Sequence, residues 1–172
     1  MRVVRRNMLF LEAPFNVDAY MRKYTRFLQK LGMDIADYEC RGYIHPSVWF
    51  DSSMNYSLIK IGKAITLSKD VVLLVHDYSI RNAINAHEAN KGNVKYKFLK
   101  PIEIGDNCFI GARAILLPGT TIGSNVIIGA GAVVKGVVPS GTIWAGSPAR
   151  QIGTIEEFYR RHKKMGDFCV EG

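Results

Sequence analysis

The chain has 172 residues, 48% of them hydrophobic, and a formal net charge of +8. That length supports one domain with a proper core and excludes two sizeable ones. The charge favours phosphorylated or polyanionic partners, but the basic residues are spread along the chain without a recognisable nucleic-acid module, so a phosphate-rich cofactor accounts for them better than nucleic acid does. Cys40, Cys108 and Cys169 are odd in number and scattered, which points to a reducing compartment and offers no metal-ligand spacing. Arg2, Arg5 and Arg6 before Met8 to Leu11 begin like a signal peptide, until Glu12, Pro14 and Asn16 break the apolar run. No apolar stretch reaches the ~18 residues of a membrane span. A cytoplasmic, soluble protein is expected.

From about Asn16 to Leu31 the spacing predicts an amphipathic helix, with Tyr20, Tyr24, Phe27, Leu28 and Leu31 on one face and Gly32 as its stop. Its other face carries Arg22, Lys23, Arg26 and Lys30. Two roles are open to it: capping the open end of the β segments C-terminal to it, or a peripheral contact with acidic lipid at the inner membrane face.

Short β segments begin near Tyr43, with Ile44, Val48 and Phe50. A six-residue register then settles at Ile61, Leu67 and Leu73, whose companions two residues earlier are Ile59, Ile65 and Val71. The period vanishes after His76-Asp77-Tyr78-Ser79, and the polar stretch of about 77–100 is expected to be a projecting loop. It resumes at Ile104, Ile110, Leu116, Ile122, Ile128 and Val134, with the companions Ile102, Cys108, Ala114, Thr120, Val126 and Ala132. Six residues fit neither a helix, which repeats every 3.6, nor a strand, which repeats every 2; they fit one side of a coiled prism. Gly105, Gly111, Gly123 and Gly129, with Asn107 and Asn125, are expected to supply positive φ at its bends. The chain leaves through residues 139–142 and 145–150. Thr154 and Glu157 form a capping-box pattern that predicts a short helix from Thr154 to about Met165. The architecture is thus mainly β, a parallel β-helix, with an N-terminal helical cap (1–40), the β-helix itself (41–153) and a C-terminal helix and tail (154–172).

The run Ile104-Gly105-Asp106-Asn107-Cys108-Phe109-Ile110-Gly111, continued by Leu117-Pro118-Gly119, Ile122-Gly123 and Ile128-Gly129-Ala130-Gly131, closely resembles the hexapeptide-repeat acyltransferases. Ala145-Gly146-Ser147-Pro148-Ala149-Arg150 resembles the closing motif of that family, and His76-Asp77-Tyr78-Ser79 before a loop is similar to its sugar and polysaccharide O-acetyltransferases. The resemblance covers about residues 43–152. It implies a left-handed coil, a homotrimer with active sites between subunits, and acetyl-CoA as donor without a metal. Phe109 departs from the tryptophan that many relatives carry in this motif.

A sugar hydroxyl is a poor nucleophile, and a histidine, with an ordinary pKa of ~6.5, is suited to take its proton and pass it to the departing thiol. His76 stands where the resemblance places the base. Asp51 and Asp77 are candidates to orient its imidazole or hold an acceptor hydroxyl, although either has the character of a turn aspartate. Asp51 precedes Ser52 to Tyr56, which resembles the acceptor-side segment of the sugar enzymes. By the same resemblance Gly111 and Ala112 offer backbone N–H groups to the oxyanion, and the coenzyme contacts fall on Gly111, Ala112, Ala130, Lys135, Gly136 and Arg150. Lys135 and Arg150 are of the type that pairs with phosphates. His87 lies in the loop within reach of a neighbouring subunit, whereas His45 and His162 are read as incidental and Trp144 as packing. Three readings compete with sugar O-acetylation: transfer to a small acceptor such as serine or a xenobiotic, a zinc carbonic anhydrase, and a non-catalytic scaffold. The zinc reading lacks a second histidine near His76. The scaffold reading conflicts with the presence of both His76 and the closing motif.

Overall fold

The computed structural model describes residues 16–37, 42–51, 55–88 and 94–169. The six-residue registers become a three-sided parallel coil. One face holds Asp34–Ile35, Ile59–Ile61, Ile102–Ile104, Thr121–Ile122 and Val137–Val138, and the second holds Tyr43–Ile44, Thr66–Leu67, Phe109–Ile110, Ile127–Ile128 and Thr142–Gly146. Trp49–Asp51, Val72–Leu74, Ile115–Leu116 and Val133–Val134 make the third. Adjacent coils stay in strict register, as Leu67, Ile110 and Ile128 do on the second face.

Both registers point inward. Ile104, Ile110, Leu116, Ile122, Ile128 and Val134 are at most 2% exposed, and so are their companions from Ile102 to Ala132. Slender companions are required because two inward residues per side fill a narrow prism to crystal-like density. The polar ones among them are satisfied internally: the Thr120 hydroxyl donates to the Leu117 carbonyl (2.7 Å), and the Cys108 thiol to that of Gly123 (3.0 Å). Burial also raises the pKa of the Cys108 thiol, so it packs as a small apolar group.

The bends correct one expectation. Asn107 and Asn125 do adopt positive φ (53° and 56°), in a series six residues apart with Arg113, Gly119 and Gly131. Gly105, Gly111, Gly123 and Gly129 have no positive φ. These glycines answer a different demand, close approach between coils: a Cβ on Gly111 would stand 2.5 Å from the Ala130 nitrogen. Backbone packed that tightly cannot move aside cheaply.

Helix α1 (Val17–Lys30) takes its N-cap from Asn16, whose side chain accepts from the Ala19 N–H, and ends before Gly32 at φ +93°. It buries Tyr20, Met21, Tyr24, Thr25 and Leu28 against the first coil, and the Tyr20 hydroxyl donates to the Ile44 carbonyl (2.8 Å). The apolar face is therefore spent on capping the coil. A membrane contact by this helix would have only its polar face to work with.

Between 77 and 100 the expected projecting loop has regular structure of its own. His76–Asp77 pairs antiparallel with Phe98–Leu99, forming a neck, and helix α2 (Ser79–His87) stands on it with no buried residue. Ile80, Ala83 and Ile84 do recur at helical spacing, but over only nine residues, too short a run to stand out within the polar excursion.

The closing segment also gains structure. Thr142–Gly146 turns back as Ala149–Thr154, antiparallel, so the last coil's open edge finds partners. Helix α3 (Ile155–Met165) comes next, with the expected capping box formed in full: Thr154 Oγ1 accepts from the Glu157 N–H, and the Glu157 carboxylate accepts from the Thr154 N–H. Because α3 buries no residue, its helicity depends on local terms. Thr154→Ala is expected to cost about 1 kcal/mol of helix stability and to fray α3, seen as a loss of far-ultraviolet ellipticity before the coil unfolds; unchanged ellipticity would show that something else holds it.

Candidate active site

His76 leaves the third face just after the buried anchor Val75. Val75 is clamped on both sides: its N–H donates to the Asp51 carbonyl on the coil before (3.2 Å), and its carbonyl accepts from the Lys100 N–H where the excursion returns (2.9 Å). The histidine is thus fixed at the base of the neck. Its Nδ1 lies 3.4 Å from Asp51 Oδ2, with side chains 17% and 24% exposed. Nδ1 is fully enclosed and meets no hydrogen-bond geometry, so the Asp51 contact is an electrostatic alignment about half an ångström longer than a formed charge-assisted bond. Tyr78 meets the ring edge-on at 5.1 Å between centroids. The ring's remaining exposure lies away from Nδ1, toward solvent.

Asp77 is placed differently. Its carboxylate accepts from the Ser79 N–H (2.7 Å) at the start of α2, the turn role its sequence position allowed. That bond, then the Ser79 hydroxyl, and more weakly Lys135 and His76, hold its pKa below the ordinary value. A lowered pKa stabilises the turn at all pH above the ordinary aspartate value, and the contribution is lost as pH falls through the lowered one. The Ser79 amide proton shift is accordingly expected to titrate with a midpoint below ~3.9 and to stop titrating in Asp77→Asn; a midpoint at or above that value would refute the turn contact.

Asp77 also lines a cleft of about 110 Å³ with Phe98, Lys100, Leu117, Pro118 and Lys135. This cleft occupies the corner after the third face, where His76 stands. A second groove lies at the corner before that face, lined by Lys69, Asp70, Ala112, Arg113, Ala130 and Gly131. The coenzyme candidates therefore divide between two corners: Ala112 and Ala130 at one, Lys135 and Gly136 at the other. Arg150, exposed on the closing hairpin, donates to its own neighbour's carbonyl, that of Ala149 (2.8 Å). The N–H of Gly111 is already committed to the Ile128 carbonyl (2.8 Å). Of the two oxyanion candidates only Ala112 keeps an N–H without a hydrogen bond among the described residues.

The remaining sequence candidates fall outside this site. His45 Nδ1 contacts Ser47 (2.8 Å), His162 Nδ1 contacts Asp167 (2.8 Å), and His87 ends α2 in solvent. Trp144 donates its indole N–H to Thr142 (3.1 Å) and packs on the core. Phe109 lies 44% exposed on the outer side of the second face. Residues 52–54 of the acceptor-side segment, Cys40 and the Arg-rich start lie outside the described residues. Among the described residues no three His, Cys, Asp or Glu side chains are grouped to hold a metal, and no helix is long and apolar enough to cross a membrane. The residues that sequence reasoning missed are Lys100 and Phe98, which only the pairing of the neck brings beside His76.

Residues 101–136 match the bacterial transferase hexapeptide family of six repeats. The galactoside O-acetyltransferase of Escherichia coli strain K12 is 34% identical over 113 residues, 66% of this chain and 52% of that protein. The chain spans about half the length of the curated relatives it matches. A maltose O-acetyltransferase from Clostridium difficile 630 has the same fold, with a TM-score of 0.58 at 24% identity over 87% of this chain and 84% of that one. A galactoside acetyltransferase solved in complex with coenzyme A superposes with a TM-score of 0.53 at 23% identity over 98% and 88% of the two chains. The coil is that fold's left-handed parallel β-helix, carried at residues 101–136 on the hexapeptide repeat of bacterial transferases.

Proposed function

We propose that the chain is an acetyl-CoA-dependent O-acetyltransferase acting on a sugar hydroxyl, with His76 as the general base. The observation that carries this reading is the enclosed Nδ1 of His76 facing Asp51 at 3.4 Å, next in the chain to Asp77, which lines an open cleft. An imidazole aligned through one nitrogen presents the other to solvent, where an acceptor hydroxyl binds. His76 takes the hydroxyl proton as the oxygen attacks the thioester carbonyl, and returns it to the coenzyme sulfur as the tetrahedral intermediate collapses. The Ala112 N–H is the donor aimed at the oxyanion. Gly111 shapes that bend and Ala130 lies beside it, while Lys135, Gly136 and Arg150 meet the rest of the coenzyme, the cationic pair at its phosphates.

The division of these groups between two corners supports a trimer. Ala112 precedes the third face and His76 follows it, so a single chain holds them at opposite edges; in a three-fold assembly one chain's His76 corner meets the next chain's Ala112 corner. The outward residues fit such contacts. Trp49, Val72, Ile115 and Val133 align across the third face, and Tyr43, Thr66, Phe109 and Ile127 across the second, whereas the first presents Asp34, Lys60, Glu103, Thr121 and Val137. Apolar outward ladders of this kind are usual at contact surfaces between subunits.

Thiol release from acetyl-CoA across a panel of sugars tests the reaction class, and sedimentation equilibrium tests the assembly. Release with a sugar acceptor by a trimer supports the reading. Release with serine or a small xenobiotic alone would move the acceptor class, and absence of both turnover and coenzyme binding would leave a non-catalytic scaffold.

A further inference from the structure

We propose that helix α3 docks on an anionic lipid surface, lying in the plane of the interface with its apolar stripe turned into the lipid. Ile155, Phe158, Tyr159, His162 and Met165 recur at spacings of three and four and so share one face of α3. Burial of one face is what such a pattern serves, yet α3 buries no residue against its own chain. Phe158, Tyr159 and Met165 are 42–64% exposed, and Ile152 on the strand before α3 and Phe168 just after it are exposed as well. The stripe is made for a surface that the folded chain does not supply.

The charges around the stripe fit lipid headgroups. α3 carries Arg160, Arg161, Lys163 and Lys164 against Glu156 and Glu157. Both acids are engaged within the helix, Glu157 in the capping box and Glu156 with Arg160 (2.6 Å). Arg161, Lys163 and Lys164 have no carboxylate partner among the described residues. Helical spacing puts Arg161 beside Phe158 and Met165 on one border of the stripe. Lys163 lies over the Tyr159 ring (5.4 Å) on the other. Cations on both borders of an apolar stripe reach headgroup phosphates while their stems rest on the acyl boundary. A second copy of this chain fits less well, because a cationic helix would then meet a chain of net charge +8. Nor can α1 serve instead, since its apolar face already lies on the coil. In the three-fold assembly proposed above, rotation keeps all three copies of α3 at one level along the axis, so modest contacts act together on one surface.

Flotation of the full chain with vesicles of phosphatidylcholine alone, and of equimolar phosphatidylcholine and phosphatidylglycerol, tests this directly. The wild type is expected to float with the anionic vesicles, not with the neutral ones, and less as salt rises. Phe158→Glu, which sets a carboxylate in the stripe at an exposed position, is expected to weaken that partition at least tenfold. Arg161→Gln combined with Lys163→Gln should weaken it roughly fivefold per charge removed. Flotation with both vesicle types alike, or with neither, would overturn the proposal. Undiminished flotation of Phe158→Glu would assign the lipid contact to another cationic surface and overturn it too. Far-ultraviolet ellipticity shows whether α3 is intact in Phe158→Glu; should it fray, the double glutamine variant decides, and flotation unchanged in that variant rejects the site. Sedimentation equilibrium of Phe158→Glu tests a second copy as the occupant: an assembly that falls apart would give the stripe to the contact between copies and overturn the lipid surface, even where vesicle binding falls with it.

Discussion

His76→Ala is expected to lower acetyl-CoA thiol release in the presence of acceptor by roughly 10²- to 10⁴-fold, the usual worth of a positioned general base. The fall should appear in kcat, because alanine removes a proton acceptor needed as the hydroxyl attacks and leaves the groove beside Ala112 untouched. Structural collapse is not the expected cause. Val75, which anchors the neck through its own backbone to Asp51 and Lys100, is unaltered, and His76 contributes no hydrogen bond through Nδ1. Asp51→Asn should fall less far, since it removes the charge that aligns the imidazole at 3.4 Å while keeping the base itself. Wild-type turnover by His76→Ala would eliminate this histidine as the base. Loss of the far-ultraviolet β signal in the variant would instead show it to be structural.

The inward wall of the coil was almost wholly legible because it obeys one rule. Every position from Ile102 to Val134 in the two registers is buried, and a narrow prism leaves no freedom to place an aliphatic residue elsewhere. Helix α3 was legible for a similar reason, since its capping box is a local device and Thr154 and Glu157 form it alone. The role of the bend glycines was not, because sequence does not separate two demands on glycine: positive φ, met at Asn107 and Gly119, and the close approach of the next coil, met at Gly111. His76 stood out by position, and the Asp51 contact was one of two aspartate alternatives. Which aspartate aligned with the ring depended on the coil-to-coil register that pairs Asp51 with Leu74. Lys100 and Phe98 left no signal, because their relation to His76 exists only through the antiparallel neck.

Ile110→Ala is expected to destabilise the folded chain by about 2–5 kcal/mol, the range for truncating a large aliphatic residue in a core that cannot close around the gap. The coil is a demanding case. Ile110 is completely buried and is stacked between Leu67 and Ile128 in strict register, so collapse onto the cavity would require neighbouring coils to slip, and the Gly111 backbone beside it already lies against Ala130. Each coil of a solenoid touches only those adjacent to it. Ile110 is therefore a direct link between the coil before the excursion and those after it, and the cavity weakens the hold on the neck that carries His76. Thr121→Ala, on the outward register of the polar face, is the matched control and should stay within about 0.5 kcal/mol. Urea midpoints of the two variants at equal protein concentration measure the difference. Equal midpoints would mean that the inward register does not carry the stability of the coil, and a partial loss in Ile110→Val of about 0.5–1.5 kcal/mol would show the cost scaling with the volume removed.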